Sequence, residues 1–257
     1  MVLKLSEQEA LVFMHVPKTG GTTLHDILIQ HFNEDEVCPE RFNHLGKMST
    51  NELIKYRFYS GHYDRKAIEL IEKPKKIITI LREPKSRILS LYYYWKAHRW
   101  EPIEEYDLGG PRIAKRLNLL EFLRYTEGGI PENIGNIQTR TLLGNISKGA
   151  HIEYPCPPNQ ILEKAIEALE SLFCFGIMEE YESTMRLFCR RLEFSCPAYI
   201  RKARDHTEFG THPLMEAVEQ EEITPEIEQA LKALTQFDAK LYQYAKTAFA
   251  QRISELA

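Results

Sequence analysis

Several absences narrow the field before any motif is read. Lysine plus arginine number 33 against 37 aspartates plus glutamates, a formal net charge of −4. The chain therefore lacks the basic excess that binds nucleic acid or anionic membranes in general. An anion site has to be a local concentration of Lys and Arg. No apolar run approaches ~20 residues, so no transmembrane span is expected. Residues 1–10 carry Glu7 and Glu9 and lack an apolar segment of signal length. The cysteines, Cys38, Cys156, Cys174, Cys189 and Cys196, are odd in number and show no CxxC spacing. That argues against a disulfide framework or structural zinc and favours a reducing compartment, with Cys174 and Cys189 as buried thiols. No His/Cys/Asp cluster has metal-ligand spacing, so no metal is expected. Internal repeats and low-complexity linkers are also missing. The expectation is one soluble, cytoplasmic domain over residues 1–257.

What is there begins at residues 11–16, whose length and β-branched and aromatic content suit a buried strand. They lead into Pro17, Lys18, Thr19, Gly20, Gly21, Thr22 and Thr23, after which Leu24, Ile27, Leu28 and Phe32 recur at helical spacing. The glycines let backbone approach a ligand closely. The helix start aims N–H groups and a partial positive charge at it. Lys18 adds a full charge and the threonines add hydroxyls, a combination that fits phosphate or sulfate.

A second constellation follows residues 77–81, the clearest buried strand in the chain. Arg82 stands at the strand's C-terminal end, where ligands bind in open α/β sheets. Pro84 suits the first turn of a helix carrying Ile88, Leu89, Leu91, Tyr92 and Trp95. Ser90 lies about two turns along it, so Arg82 and Ser90 can grip one phosphate. Arg87 either joins them or pairs with Glu83 at i, i+4. Between these stretches, residues 56–62 read as a short strand ending in Gly61-His62, and Asp64 as a cap for a helix over 65–71. Further on, residues 100–111 are turn-rich, 111–125 helical and 127–158 irregular. A helix over 159–172, a strand over 173–178 and a helix over 179–192 follow. An amphipathic helix over 226–252, broken once, closes the chain. Successive β-then-α units imply an α/β fold, a central parallel sheet flanked by helices.

Taken together, the stretch from Val16 through Lys18 to Leu24 resembles the 5′-phosphosulfate loop of sulfotransferases. Arg82-Glu83-Pro84 through Ser90 to Tyr94 resembles their 3′-phosphate motif. The likeness is to the branch containing heparan sulfate 2-O- and 6-O-sulfotransferases. It implies a sulfotransferase fold with a P-loop-like phosphosulfate loop. It implies 3′-phosphoadenosine 5′-phosphosulfate (PAPS) as donor and adenosine 3′,5′-bisphosphate (PAP) as product. By the same resemblance, Lys18 contacts the phosphosulfate and assists the leaving group, with Thr19, Gly20, Gly21, Thr22 and Thr23 around it. Arg82 and Ser90 hold the 3′-phosphate. Tyr59-Ser60-Gly61-His62 resembles the segment that supplies the catalytic base, which makes His62 the base. Ser60 stands where that pattern has a first histidine. A histidine titrating near neutrality suits removal of an acceptor hydroxyl proton. Arg201 and Lys202 resemble a late pair that covers the nucleotide, with Arg204 beside them. His15 reads as structural. The resemblance divides the domain into a PAPS-binding core (residues 11–95), an acceptor-side insert (100–160) and a nucleotide-covering loop (196–213).

Two alternatives come from other classes. A P-loop kinase or NTPase would need GxxxxGK[ST], whereas here the lysine precedes the glycines. A non-catalytic nucleotide-binding protein on the same fold is the other. The implied acceptor is a hydroxyl on a glycan or glycolipid. A sulfated glycan wants basic residues facing the site, for which Arg112, Lys115, Arg116, Arg140 and Lys148 are the candidates. Trp95, Trp100 and the tyrosines are candidates to stack on sugar rings.

Overall fold

Four short strands, each buried along most or all of its length, set the frame. They are β1 (Ala10–Met14), β2 (Phe58–Gly61), β3 (Lys75–Leu81) and β4 (Cys174–Ile177). The computed structural model describes residues 3–146, 154–196 and 213–255. The strands pair in the order β2-β1-β3-β4, all parallel. Met14 is in register with Gly61, Phe13 with Ile78, and Leu81 with Ile177. The Thr79 hydroxyl donates to the Met14 carbonyl at 2.7 Å, tying β3 to the end of β1. After β1 the chain pairs on one side to make β2, then crosses to the other side to make β3. The C-terminal ends of β1 and β3 thus flank a topological switch point, the usual crevice for ligands in an open parallel sheet.

In chain order the helices are α1 (Gly21–Leu28), α2 (Thr50–Leu53), α3 (Arg65–Glu69), α4 (Pro84–Lys96), α5 (Trp100–Glu105), α6 (Gly109–Arg116) and α7 (Leu119–Leu123). They continue with α8 (Ile130–Ile134), α9 (Ile137–Leu143), α10 (Ile161–Glu170), α11 (Tyr181–Leu192), α12 (Pro225–Leu234) and α13 (Gln236–Ser254). Local chemistry explains several of their starts. The Ala67 N–H donates to the Asp64 carboxylate at 2.9 Å, capping α3. The Glu83 carboxylate accepts from the Lys85 and Ser86 N–H groups at 3.2 and 2.7 Å, with Pro84 at the first helical position of α4. That use of Glu83 answers the i, i+4 question: Arg87 is buried and donates instead to the Asn133 carbonyl at 2.7 Å.

Three expectations are corrected. Residues 100–111 are not merely turns, because α5 and the start of α6 lie there. The helix read over 111–125 is two, since Asn118 opens α7 with a capping box to Glu121. The stretch 127–158 contains α8 and α9, set off by left-handed residues at Gly129, Asn136 and Gly144. The cysteine reading also changes. Cys189, in the last turn of α11, is bonded to Cys196, because the left-handed Glu193 turns the chain back on the helix. Cys38, Cys156 and Cys174 are free thiols. With that pair formed, cysteine usage no longer argues for a reducing compartment.

The main core surrounds the sheet. A second core gathers Ile88, Tyr92 and Tyr93 of α4 with Phe122, Ile130, Ile227 and Leu231. α4 thereby carries one face into the second core and leaves another toward the sheet's C-terminal edge. Among the described residues no helix is long and apolar enough to cross a membrane.

Candidate active site

A cavity of about 920 Å³ opens at that edge, at the upper end of the range for ligand pockets. The loop after β1 makes one wall. Gly20 adopts φ +79°, and a Cβ there would stand 2.3 Å from the Met178 sulfur. A Cβ on Gly21 would stand 2.2 Å from the His15 ring. The buried His15 ring closes Gly21 to a side chain, whereas at Gly20 the left-handed backbone is what favours glycine. No side chain caps α1, so its positive end opens on the cavity. The Tyr181 hydroxyl, from α11, donates to the Gly20 carbonyl at 3.1 Å and steadies the loop.

Lys18 also has a left-handed backbone, φ 69°. The Arg82 guanidinium donates to the Lys18 carbonyl at 3.0 Å, linking the loop after β1 to the end of β3. The Lys18 ammonium rests 3.8 Å from the centroid of the Tyr94 ring. Among the described residues no carboxylate pairs with it. Burial, followed by the guanidinium groups of Arg82 and Arg87, pushes its pKa down to about 7. A buried ammonium crowded by two guanidinium groups is what a bound anion would relieve.

His62 follows β2 directly. The close approach of Arg41 demands Gly61: its carbonyl would lie 2.5 Å from a Cβ there, and it accepts the His62 N–H at 2.8 Å. The His62 ring nitrogen Nδ1 lies 2.8 Å from the His15 carbonyl oxygen, which can only accept. Nδ1 therefore carries the proton in the neutral ring, and Nε2 keeps a lone pair. Burial pulls its pKa below the ordinary value, the bond to His15 opposes this, and Arg41 lowers it further.

The cavity thus brings together Lys18, Gly20, Gly21, Thr22, Thr23, His62, Arg82 and Ser90. Thr19 is placed differently. Its hydroxyl donates to the Val16 carbonyl at 2.9 Å, and the residue is fully buried behind the loop. Ser60 also turns away, bonding His25 at 2.9 Å. Arg201, Lys202, Arg204 and Lys148 lie outside the described residues. Of the other basic candidates, Arg112 pairs with Asp107 at 2.8 Å and Lys115 with Glu216. Arg116 sits over Trp100, and Arg140 is buried among main-chain carbonyls. None of these four lines the cavity.

Sequence reading missed several contributors. His15 lines the cavity, its ring 4.7 Å from that of His62. His98 lines it too, its Nδ1 2.9 Å from the Tyr94 carbonyl. The Gln138 side chain accepts from the Arg82 N–H at 2.9 Å and donates to the Arg82 carbonyl at 2.8 Å. The Asp238 carboxylate in turn accepts from the Gln138 and Thr139 N–H groups at 3.1 and 2.7 Å.

A family model described as the sulfotransferase family matches residues 3–137, just over half of the chain. The chain belongs to the sulfotransferase family. The match covers the loop after β1, His62, Arg82 and Ser90. Among proteins similar to this chain, heparan-sulfate 6-O-sulfotransferase 2 of Gallus gallus is 26% identical, covering 95% of this chain and 68% of its own length. The Homo sapiens protein of the same name is 25% identical, covering 95% and 45%. A protein-tyrosine sulfotransferase of Arabidopsis thaliana is 33% identical over 92 residues, covering 35% and 18%. The chain therefore spans from under a fifth to about two thirds of the length of these relatives.

Proposed function

We propose that this protein transfers a sulfuryl group from PAPS to an acceptor hydroxyl, on a carbohydrate, with His62 as base and Lys18 assisting the leaving group. One observation carries the reading. Lys18, Arg82, Ser90 and His62 stand at the ends of three parallel strands and on α4, yet all line one cavity. Among the described residues no carboxylate pairs with Lys18, whose burial pushes its pKa down, and the histidine is held with Nε2 unprotonated in the neutral ring.

In this scheme His62 Nε2 takes the proton as the acceptor oxygen forms its bond to sulfur. The bond from sulfur to the 5′-phosphate oxygen breaks, and that oxygen leaves with the electron pair. In-line transfer of this kind demands positioning and positive charge rather than covalent chemistry from the protein. Lys18 and the N-terminus of α1 stabilise the negative charge that builds on the leaving oxygen. Arg82 and Ser90 hold the 3′-phosphate and so fix where the sulfur lies. The heparan-sulfate acceptor in the relatives' names supports a sugar hydroxyl as the nucleophile.

The test is a pair of measurements. PAP should raise the melting temperature markedly and ATP with magnesium should not. Label from sulfate-labelled PAPS should reach a hydroxyl acceptor with wild-type protein and not with Lys18→Ala or His62→Ala. Stabilisation by ATP but not by PAP would sink the reading. Binding of PAP with no transfer to any acceptor would leave a binding protein on the same fold.

A further inference from the structure

The acceptor end of the cavity differs in character from its donor end. Phe42, Tyr106 and Leu214 are exposed by 61%, 61% and 48%, more than any other large hydrophobic residue among those described. All three line this one cavity. They arrive from separate places: the segment between α1 and α2, the residue after α5, and a segment that the His98–Met215 bridge fastens to the end of α4. Single exposed hydrophobics are ordinary, but three converging from distant segments on one opening mark a binding surface. Behind them Trp95 continues the wall.

Charge follows the opposite pattern. The lysine and arginine that line the cavity, Lys18 and Arg82, sit at the donor end. Among the described residues two carboxylates also line it, Asp26 of α1 and Glu132 of α8. A sulfated chain would need several cations along its path; among the described residues no lysine or arginine besides Lys18 and Arg82 lines the cavity, and Arg41, next to Phe42, lies 2.9 Å from His25 instead.

We infer that the acceptor is an electrically neutral glycoside bearing an apolar aglycone, not a polyanionic glycan. The inference rests on the sulfotransferase reading above. A sugar ring presents its C–H face to aromatic side chains, and an aglycone chain covers Phe42, Tyr106 and Leu214 at the mouth. Binding then removes apolar surface from water and dries the space in which His62 takes the proton.

The experiment compares octyl β-glucoside below its micellar concentration, glucose and a heparin oligosaccharide as acceptors for labelled PAPS, using the full chain. We expect kcat/KM for octyl β-glucoside to exceed both others by about tenfold or more, with little dependence on salt. Tyr106→Ala, a surface change, should raise its KM about three- to tenfold while kcat and the Kd for PAP hold, and Phe42→Ala, at a ring whose centroid lies 6.2 Å from that of His62, should raise KM as well. The heparin oligosaccharide as best acceptor, with a rate that falls as salt rises, overturns the inference, as does an unchanged KM in both variants. A second readout is independent of turnover: tryptophan fluorescence of PAP-saturated protein titrated with each compound. Saturable binding of octyl β-glucoside, weakened in Tyr106→Ala, supports the inference; its absence overturns it. Failure to bind PAP at all is a different result and removes the sulfotransferase reading itself.

Discussion

Lys18 offers a sharp test of the donor site, because its charge is held where it is least stable. With its pKa pushed down to about 7, the ammonium is half protonated at pH 7 in the donor-free protein. A bound phosphosulfate or bisphosphate supplies the missing counter-charge and returns the group toward the ordinary lysine value of about 10.4. Linkage then requires a proton to enter with the ligand. At pH 8 the uptake should be about 0.9 protons, and between pH 7 and pH 9 the Kd for PAP should weaken about fifty-fold, or about 2.3 kcal/mol. Few neighbours confuse the window. Burial holds His15, His62 and His98 below the usual histidine range, so they are already neutral. Burial raises the Tyr94 hydroxyl, which stays protonated. Phosphate groups are essentially fully ionised well above their second pKa of about 6. The assay is isothermal titration calorimetry in two buffers of different ionisation enthalpy. Lys18→Met should abolish both the uptake and the pH slope. A flat Kd from pH 7 to 9, or the same slope in Lys18→Met, would refute the reasoning. Stability runs the other way. The folded pKa is lowered, so the unfolded chain binds more protons between pH 7 and the lysine range. The donor-free protein should therefore become more stable as pH rises through that window.

Other perturbations address other parts of the site. As the proposed base, His62 must be unprotonated, and burial puts its pKa below the usual histidine value. The pH profile of kcat/KM should therefore hold its plateau to below pH 6.5 before the acid limb falls, and an acid limb centred well above 6.5 would exclude His62 as the base. Gln138→Leu removes both side-chain bonds to the Arg82 main chain. Leaving those groups without partners costs about 1–3 kcal/mol, and the displaced guanidinium should weaken PAP binding about tenfold or more by calorimetry. Gly21→Ala forces a Cβ into the His15 ring and should destabilise the fold by about 1–3 kcal/mol in urea denaturation. The double variant Gly21→Ala/His15→Ala should recover most of that loss, and no recovery would show that the overlap is not its source.

The sheet and the loop after β1 were legible because their signals are contiguous. Each strand is a short apolar run, and a buried parallel strand needs little else. Lys18 and Arg82 stand next to such runs, so locating the strands located the cations at the sheet's C-terminal edge. Tyr94 was not legible in the same way. Three tyrosines in a row carry no label, and only the turn of the helix separates them, sending Tyr92 and Tyr93 into the second core while Tyr94 meets Lys18. α9 escaped for a related reason: Gln138, Thr139, Arg140 and Thr141 are polar yet buried along with Ile137 and Leu142, so the sequence shows no apolar stripe at helical period. The Cys189–Cys196 bond depends on a left-handed turn at Glu193, a residue type that does not announce one.

The support behind Arg82 shows why such losses matter for function. Asp238 lies in the first turn of α13, where a carboxylate ordinarily reads as a solvated charge that complements the helix dipole. Here it is buried against the start of α9 and accepts two of that helix's N–H groups. Asn136 accepts the Phe237 and Asp238 N–H groups in return, so the two helix starts cap each other. Gln138, held in that joint, clamps the Arg82 main chain through both of its polar atoms. Burial raises the Asp238 pKa, so its charge is kept at a cost, which its bonds to Thr139 and Gln138 and the nearby Arg87 offset. A local pattern can show that Arg82 faces the crevice. It cannot show what fixes the direction of its guanidinium, because that depends on a carboxylate from the far end of the chain. The motif residues thus decide which ligand chemistry the cavity offers, and unremarkable buried polar residues decide where that chemistry points.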